Sequence, residues 1–157
     1  MKYLGVIAGT GKRSLSPAFQ QAALDALRLD IVYEAWPTDP EGLATRVATL
    51  RGEAVLGANV TIPHKEAVAE LMDELDGDAE ALGAVNTVVL ENEWAKGHNT
   101  DVFGFRVSLR TLGLRLGERK ALVVGAGGAA KAVVHVLLRE GARVQVTNRT
   151  PARADAL

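Results

Sequence analysis

Lys65 ends the stretch Ala-Asn-Val-Thr-Ile-Pro-His-Lys (58–65), in which an apolar run from Ala54 to Val60 stops at Thr61. Pro63 stands where a helix would begin, since a missing N–H has no partner to lose in the first helical turn. That spacing puts Lys65 beside the positive end of the helix, where a cation is disfavoured by about 0.3–1 kcal/mol. A surface lysine tolerates so small a penalty. The other reading is an ammonium placed to exchange a proton at working pH. Asn59 and Thr61 lie at the same strand end, and in parallel α/β sheets ligands bind outside the carboxyl ends of strands. Asp101, in Gly-His-Asn-Thr-Asp (97–101), supplies a carboxylate to hold such a lysine, although stabilisation of a helix start explains it equally well.

Further polar groups stand at element ends. Ser14 and Ser16, in Ser-Leu-Ser-Pro (14–17), offer two hydroxyls beside the free amides of a helix N-terminus, a setting that suits a carboxylate. A plain N-cap role for Ser16 is the simpler account of that residue. Asn86 reads as part of an apolar strand (84–90), where an unpaired amide would cost on the order of 1–3 kcal/mol. It is bonded either to its backbone neighbours or to a ligand. His64, His98 and His135 lack ligand spacing and read as packing or surface residues, so no metal site is expected. Asp73, Glu74, Asp76, Asp78 and Glu80 lack calcium-loop spacing and read as a solvated face.

A second chemistry lies further along. Residues 120–150 read as strand, Gly-rich turn, helix and strand, with Gly125, Gly127 and Ala130 in the spacing G-x-G-x-x-A. The first glycine permits the tight turn, the second admits a pyrophosphate close to the backbone, and the small third residue packs helix on strand. Glycines serve ordinary turns too, but here the strand and helix that the motif requires flank it. Roughly 20 residues beyond the glycines an NAD-binding unit carries Asp or Glu for the ribose hydroxyls. This chain has Thr-Asn-Arg-Thr (147–150) and then Arg153. A guanidinium binds phosphate oxygens in bidentate fashion and stacks on adenine, so NADP is favoured over NAD. The alternative is that Arg149 and Arg153 only solvate a helix start.

The elements that must position these groups alternate β-branched runs with helical periodicity, the pattern of an α/β fold with parallel strands. Strands are expected at 3–8, 31–36 and 54–60, and a hairpin at 84–90 and 93–99 around Glu91-Asn92. Helices are expected from Ser16-Pro17 with Phe19, Ala23, Ala26 and Leu27 inward, from Pro40 to Leu50, from His64 to Leu75, across Asp78–Leu82, and from an N-cap Thr100 to Leu112. The boundary falls in or beside that last helix. The second unit supplies two strands and one helix before the sequence ends at Pro-Ala-Arg-Ala-Asp-Ala-Leu, half of a dinucleotide fold. The expectation is a fragment, or a domain whose open sheet edge something else covers.

Bulk properties set outer limits. The 157 residues are 48 % apolar and 24 % charged, with net charge −1 and no cysteine. These values fit a globular protein in a reducing compartment, the cytoplasm by default, and give no electrostatic reason to expect nucleic acid or a membrane surface as partner. No apolar run approaches the roughly 20 residues that span a bilayer. A small-molecule substrate is the expected partner, with a homodimer left open.

The segments Ser-Leu-Ser-Pro (14–17), Asn-Val-Thr-Ile-Pro-His-Lys (59–65), Gly-Ala-Val-Asn-Thr (83–87), Gly-His-Asn-Thr-Asp (97–101), Gly-Ala-Gly-Gly-Ala-Ala (125–130) and Asn-Arg-Thr (148–150), in this order, resemble the shikimate dehydrogenase family. The resemblance implies an oxidoreductase that reduces 3-dehydroshikimate to shikimate with NADPH, on the way to chorismate and the aromatic amino acids. It implies a substrate-binding and catalytic domain over 1–100, followed by a helix and the first half of a Rossmann domain for NADP over 101–157. Ser14 and Ser16 would hold the substrate carboxylate, and Asn59, Thr61, Asn86 and Asp101 the ring hydroxyls. Lys65, paired with Asp101, would give the proton to the ketone. Gly125, Ala126, Gly127, Gly128 and Ala129 would cradle the pyrophosphate, and Asn148, Arg149, Thr150 and Arg153 would receive the adenosine 2′-phosphate. The chain departs from the family at Gly11-Lys12-Arg13 and at Gln20-Gln21, and lacks the family's nicotinamide-side strands and final helix. Two alternatives are a quinate/shikimate dehydrogenase using NAD or NADP, and a truncated, non-catalytic module that binds shikimate or nucleotide.

Overall fold

Val6, Ile7 and Ala8 are almost fully buried on both faces of β1 (Lys2–Gly9), as a run of apolar residues in a central parallel strand requires. The computed structural model describes residues 1–11, 13–52 and 54–157. Lys12, the middle residue of the expected departure at 11–13, lies outside the described residues, as does Glu53. The chain divides into two compact units, Met1–His98 and Asn99–Leu157.

In the first unit β1 is followed by α1 (Ser16–Ala26), β2 (Ile31–Thr38), α2 (Leu43–Leu50), β3 (Val55–Val60), α3 (Lys65–Ala69), β4 (Glu74–Leu75), α4 (Gly77–Leu82), β5 (Thr87–Glu91) and β6 (Trp94–His98). The six strands form one sheet in the order β2-β1-β3-β5-β6-β4. It is mostly parallel; β5 runs against both β3 and β6, because a two-residue turn at Asn92-Glu93 folds it directly onto β6. The main core, including Ile7, Leu43, Val47, Leu50, Val60, Val68 and Val88, lies on one face. A smaller cluster of Val6, Leu24 and Tyr33 lies on the other.

Several local expectations change. The N-cap of α1 is Leu15; Ser16 takes the first helical position and Pro17 the second, where the proline still loses no hydrogen bond. The expected inward face of α1 is outward, with Phe19 58 % and Leu27 69 % exposed, and Leu24 is the buried residue. The reason is Gln21. As edge strand of the sheet, β2 has backbone groups to satisfy. Gln21 turns inward to accept the Tyr33 N–H at 2.8 Å and donate to the Ile31 carbonyl at 3.2 Å.

Helix α2 starts at Leu43 rather than Pro40, after a turn in which Asp39 accepts the Gly42 N–H. The helix expected from His64 to Leu75 stops at Ala69. Beyond it Asp73 accepts the Ala95 N–H and pairs with Arg51, and Glu74 pairs with Lys96, so tertiary pairing draws Glu74–Leu75 into a strand beside β6. Asp76 caps α4 and bonds His98. The acidic stretch is thus a set of local ties rather than a solvated face alone.

In the second unit α5 (Thr100–Thr111) precedes β7 (Lys120–Val124), α6 (Gly128–Arg139), β8 (Arg143–Thr147) and α7 (Pro151–Asp155). The N-cap is Asn99, whose Oδ1 accepts the Asp101 N–H at 3.2 Å, and Thr100 is the first helical residue. Strands β7 and β8 are parallel and joined through α6, against which α5 packs. No helix among the described residues is long and apolar enough to cross a membrane.

Candidate functional site

The first unit carries a row of polar side chains on the α1 face of its sheet. The Ser16 N–H donates to Ser14 Oγ at 3.1 Å, and the Ser14 hydroxyl donates to Ser16 Oγ at 3.0 Å. The Ser16 hydroxyl lies near the phenol of Tyr33. Tyr33 in turn donates to Asn59 Oδ1 at 2.6 Å. Asn59 Nδ2 makes a long contact of 3.5 Å with Thr87 Oγ1, whose hydroxyl donates to Asn86 Oδ1 at 3.0 Å. Sheet register explains the alignment: Tyr33 pairs with Leu4, Asn59 with Val6 and Thr87 with Asn59, so side chains two residues apart on neighbouring strands share one face. Burial pushes the Tyr33 phenol up to about 12, and the Ser16 hydroxyl offsets part of that rise.

Backbone bonds fasten the segment that carries Lys65. The Val60 N–H donates to the Asn86 carbonyl at 2.8 Å, the Thr61 N–H to the Ile7 carbonyl at 2.9 Å, and the Val85 N–H to the Lys65 carbonyl at 2.8 Å. His64, fully buried, caps α3 by position and donates from Nε2 to the Thr38 carbonyl at 2.8 Å. That bond fixes its tautomer, because a carbonyl only accepts. Lys65 is therefore the first residue of α3, half-buried, and Pro63 lies two residues ahead of the helix. Asn86 precedes β5 instead of lying within it, and its N–H donates to the His98 carbonyl at 3.0 Å. Thus Tyr33, Asn59, Thr87 and Asn86 are bonded in turn, the Ser14–Ser16 pair lies beside Tyr33, and Thr61 and Lys65 follow on the same tethered segment as Asn59.

In the second unit Asp101 is half-buried in the first turn of α5. Gly125 adopts φ +113°, which side chains rarely tolerate, and its N–H donates to the Thr147 carbonyl at 2.7 Å. A Cβ on Gly127 would point into open space, and no side chain caps α6, so its first-turn amides face outward. That is the surface a pyrophosphate requires, and the residues present fit a dinucleotide. Asn148 stitches the two loops together, accepting the Ala126 N–H at 3.3 Å and donating to the Thr150 carbonyl at 2.9 Å. Gly128 and Ala129 begin α6; Arg149, Thr150 and Arg153 are exposed around the start of α7.

Residues 6–88 match the shikimate dehydrogenase substrate binding domain, and residues 107–157 match the shikimate / quinate 5-dehydrogenase family. The chain belongs to the shikimate dehydrogenase family. It is 42 % identical to the shikimate dehydrogenase (NADP(+)) of Shouchella clausii, over 99 % of this chain and 58 % of the relative. The crystal structure of shikimate dehydrogenase from Aquifex aeolicus superposes with a TM-score of 0.92 at 42 % identity, over 99 % of this chain and 58 % of that one. Shikimate 5-dehydrogenase from Thermus thermophilus, solved with NADP(H) and shikimate, gives 0.88 at 42 % identity, over 99 % and 59 %. The chain spans a little over half the length of the relatives it matches.

Within this shikimate dehydrogenase fold, the two residues that motif reading passed over are Tyr33 and Thr87. Tyr33 carries a signal of its own: a tyrosine on the buried face of a strand must find a partner for its hydroxyl. Thr87 lies inside Gly-Ala-Val-Asn-Thr, next to the asparagine that attracted attention.

Proposed function

We propose that this chain carries the substrate site and the start of the NADP site of an enzyme that reversibly reduces 3-dehydroshikimate to shikimate. The observation that carries the reading is the row of polar side chains on one face of the sheet, the Ser14–Ser16 pair beside the bonded series Tyr33, Asn59, Thr87 and Asn86, with Thr61 and Lys65 following Asn59. Such a row matches a small, polyhydroxylated carboxylic acid. In this reading Ser14 and Ser16 turn their hydroxyls to the substrate carboxylate, and Asn59, Thr61, Asn86 and Asp101 bond the ring hydroxyls. NADPH, when bound, supplies the hydride. Lys65 Nζ gives the proton that the carbonyl oxygen needs to become a hydroxyl, and Asp101 holds that ammonium in place. Residues 125–129 hold the pyrophosphate, while Asn148, Arg149, Thr150 and Arg153 take the 2′-phosphate. The reading places substrate binding and catalysis in 1–100 and cofactor binding in 101–157. It places the protein in the cytoplasm with small molecules as its ligands and with neither nucleic acid nor membrane as partner, and leaves a homodimer open.

Calorimetric titration with shikimate and with NADP+, together with NADPH oxidation by 3-dehydroshikimate, tests this. Saturable binding of each ligand at no more than about millimolar Kd, with turnover that Lys65→Ala abolishes, supports it. Binding of both without turnover assigns a ligand-binding module instead, and absence of shikimate binding overturns the reading.

A further inference from the structure

Asn59 has two ways to face a ligand, because its carboxamide can rotate to present either an oxygen or an NH2 group. Its neighbour settles which. Tyr33 is held at two points: its N–H by Gln21 at 2.8 Å, and its ring among Val6, Leu24, Leu4 and Ile31. The phenol proton is committed to Asn59 Oδ1 at 2.6 Å.

We propose that Tyr33 is a positioning residue that locks the Asn59 carboxamide with Oδ1 turned away from the substrate and Nδ2 presented as donor. This rests on the assignment of Asn59 to substrate binding. Among the described residues the hydrogen bond of Nδ2 is the long 3.5 Å one to Thr87, so donor capacity remains for an acceptor oxygen on the ligand. The phenol also lies near the Ser16 hydroxyl at the start of α1.

The test is a double-mutant cycle on shikimate binding by the chain, with Tyr33→Phe, Asn59→Ala and the double variant. Each single change is expected to raise Kd about tenfold, and the double change to raise it little beyond either single one. A purely structural role for Tyr33 gives losses that multiply to about a hundredfold, and that outcome overturns the proposal. So does an unchanged Kd in Tyr33→Phe. Nuclear magnetic resonance adds a direct readout. The Asn59 side-chain amide pair is expected to be sharp in the wild type, with Nδ2 protons shifting on shikimate addition, and to broaden by exchange in Tyr33→Phe. If Tyr33→Phe does not fold, the wild-type spectrum decides alone: a single sharp pair that shifts with ligand supports the lock, and an exchange-broadened pair overturns it. A wild type that does not bind shikimate removes the functional assignment itself. A wild type that binds, with independent losses, removes only the role of Tyr33.

Discussion

The Val85 N–H donates to the carbonyl of Lys65 at 2.8 Å, tying the first residue of α3 to the segment that carries Asn86. The bond uses the lysine backbone, so it survives replacement of the side chain. Lys65→Met is therefore expected to fold as the wild type does. Removing a cation from a helix N-terminus relieves about 0.3–1 kcal/mol, and losing the partner proposed for Asp101 costs about as much, so the thermal midpoint should stay near that of the wild type. Loss of the proton donor is expected to lower the rate of NADPH oxidation by about 10²- to 10⁴-fold with shikimate binding retained. Calorimetry and a steady-state assay on the same preparation check both parts. A variant with near-normal turnover would remove Lys65 from the chemistry.

His64→Ala is expected to act in the opposite manner, on the fold before the chemistry. The ring is 2 % exposed and its Nε2–H is bonded to the Thr38 carbonyl at the end of β2. Truncation leaves a cavity and a buried carbonyl without its donor, together on the order of 3 kcal/mol. Urea unfolding measures it. His64→Gln, which can return a donor to that carbonyl, should recover part of the loss.

Gly57→Ala tests how closely β3 must approach β5. An added Cβ would run into the Val88 backbone carbonyl, which a strand pair cannot move without shifting its register. Overpacking of this kind costs typically about 1–3 kcal/mol. Gly57 lies two residues before Asn59 on the same face, so shikimate affinity is expected to fall with stability. Urea unfolding and calorimetry together read both losses.

Motif residues were legible because their types are costly to leave unused: a lysine at a positive helix end, an asparagine among valines, glycines between strand and helix. Tyr33 escaped notice because Ile-Val-Tyr-Glu-Ala-Trp reads as an ordinary strand, and a tyrosine there passes for core. Its partner becomes visible only when register brings Leu4, Val6 and Asn59 onto its face. Helix α1 misled for a related reason: its apolar residues point outward, while Gln21 turns inward to serve an edge strand that sequence periodicity does not represent. The false helix beyond Ala69 marks the same limit. Leu71, Met72 and Leu75 continue a helical period, but ties from Asp73 and Glu74 to Arg51, Ala95 and Lys96 decide for a strand.

The buried phenol also sets a pH dependence on the alkaline side. An unfolded tyrosine ionises near its ordinary value of 10.0, whereas Tyr33 in the fold is pushed up to about 12 by burial. The folded state thus holds this proton more tightly than the unfolded chain does. Its contribution to stability is complete below pH 10 and is lost as pH rises from there toward 12. Urea midpoints measured across that window should fall for the wild type, and Tyr33→Phe should show a shallower decline. Equal slopes would mean that the phenol is not held as described.

In the proposed reading Arg149 decides between two cofactors that differ by one phosphate. It follows Asn148, whose side chain joins the Gly-rich loop to the start of α7, and its guanidinium is exposed beside Thr150 with Arg153 four residues on. A carboxylate at this place would bond ribose hydroxyls and repel a 2′-phosphate; a guanidinium does the reverse. A hydrogen bond to a charged group is worth about 1.5–3 kcal/mol, so Arg149→Ala is expected to weaken NADP+ binding by roughly ten- to a hundredfold. NAD+ has no phosphate there to lose, and its affinity should change by less than about twofold. Raising the salt concentration should weaken NADP+ binding more than NAD+ binding in the wild type and narrow that difference in the variant, since an exposed charge pair is screened. Parallel titrations with the two nucleotides give all of these values. Equal losses for both nucleotides would mean that Arg149 acts on the adenine ring or on the loop, and that the preference for the phosphate resides elsewhere.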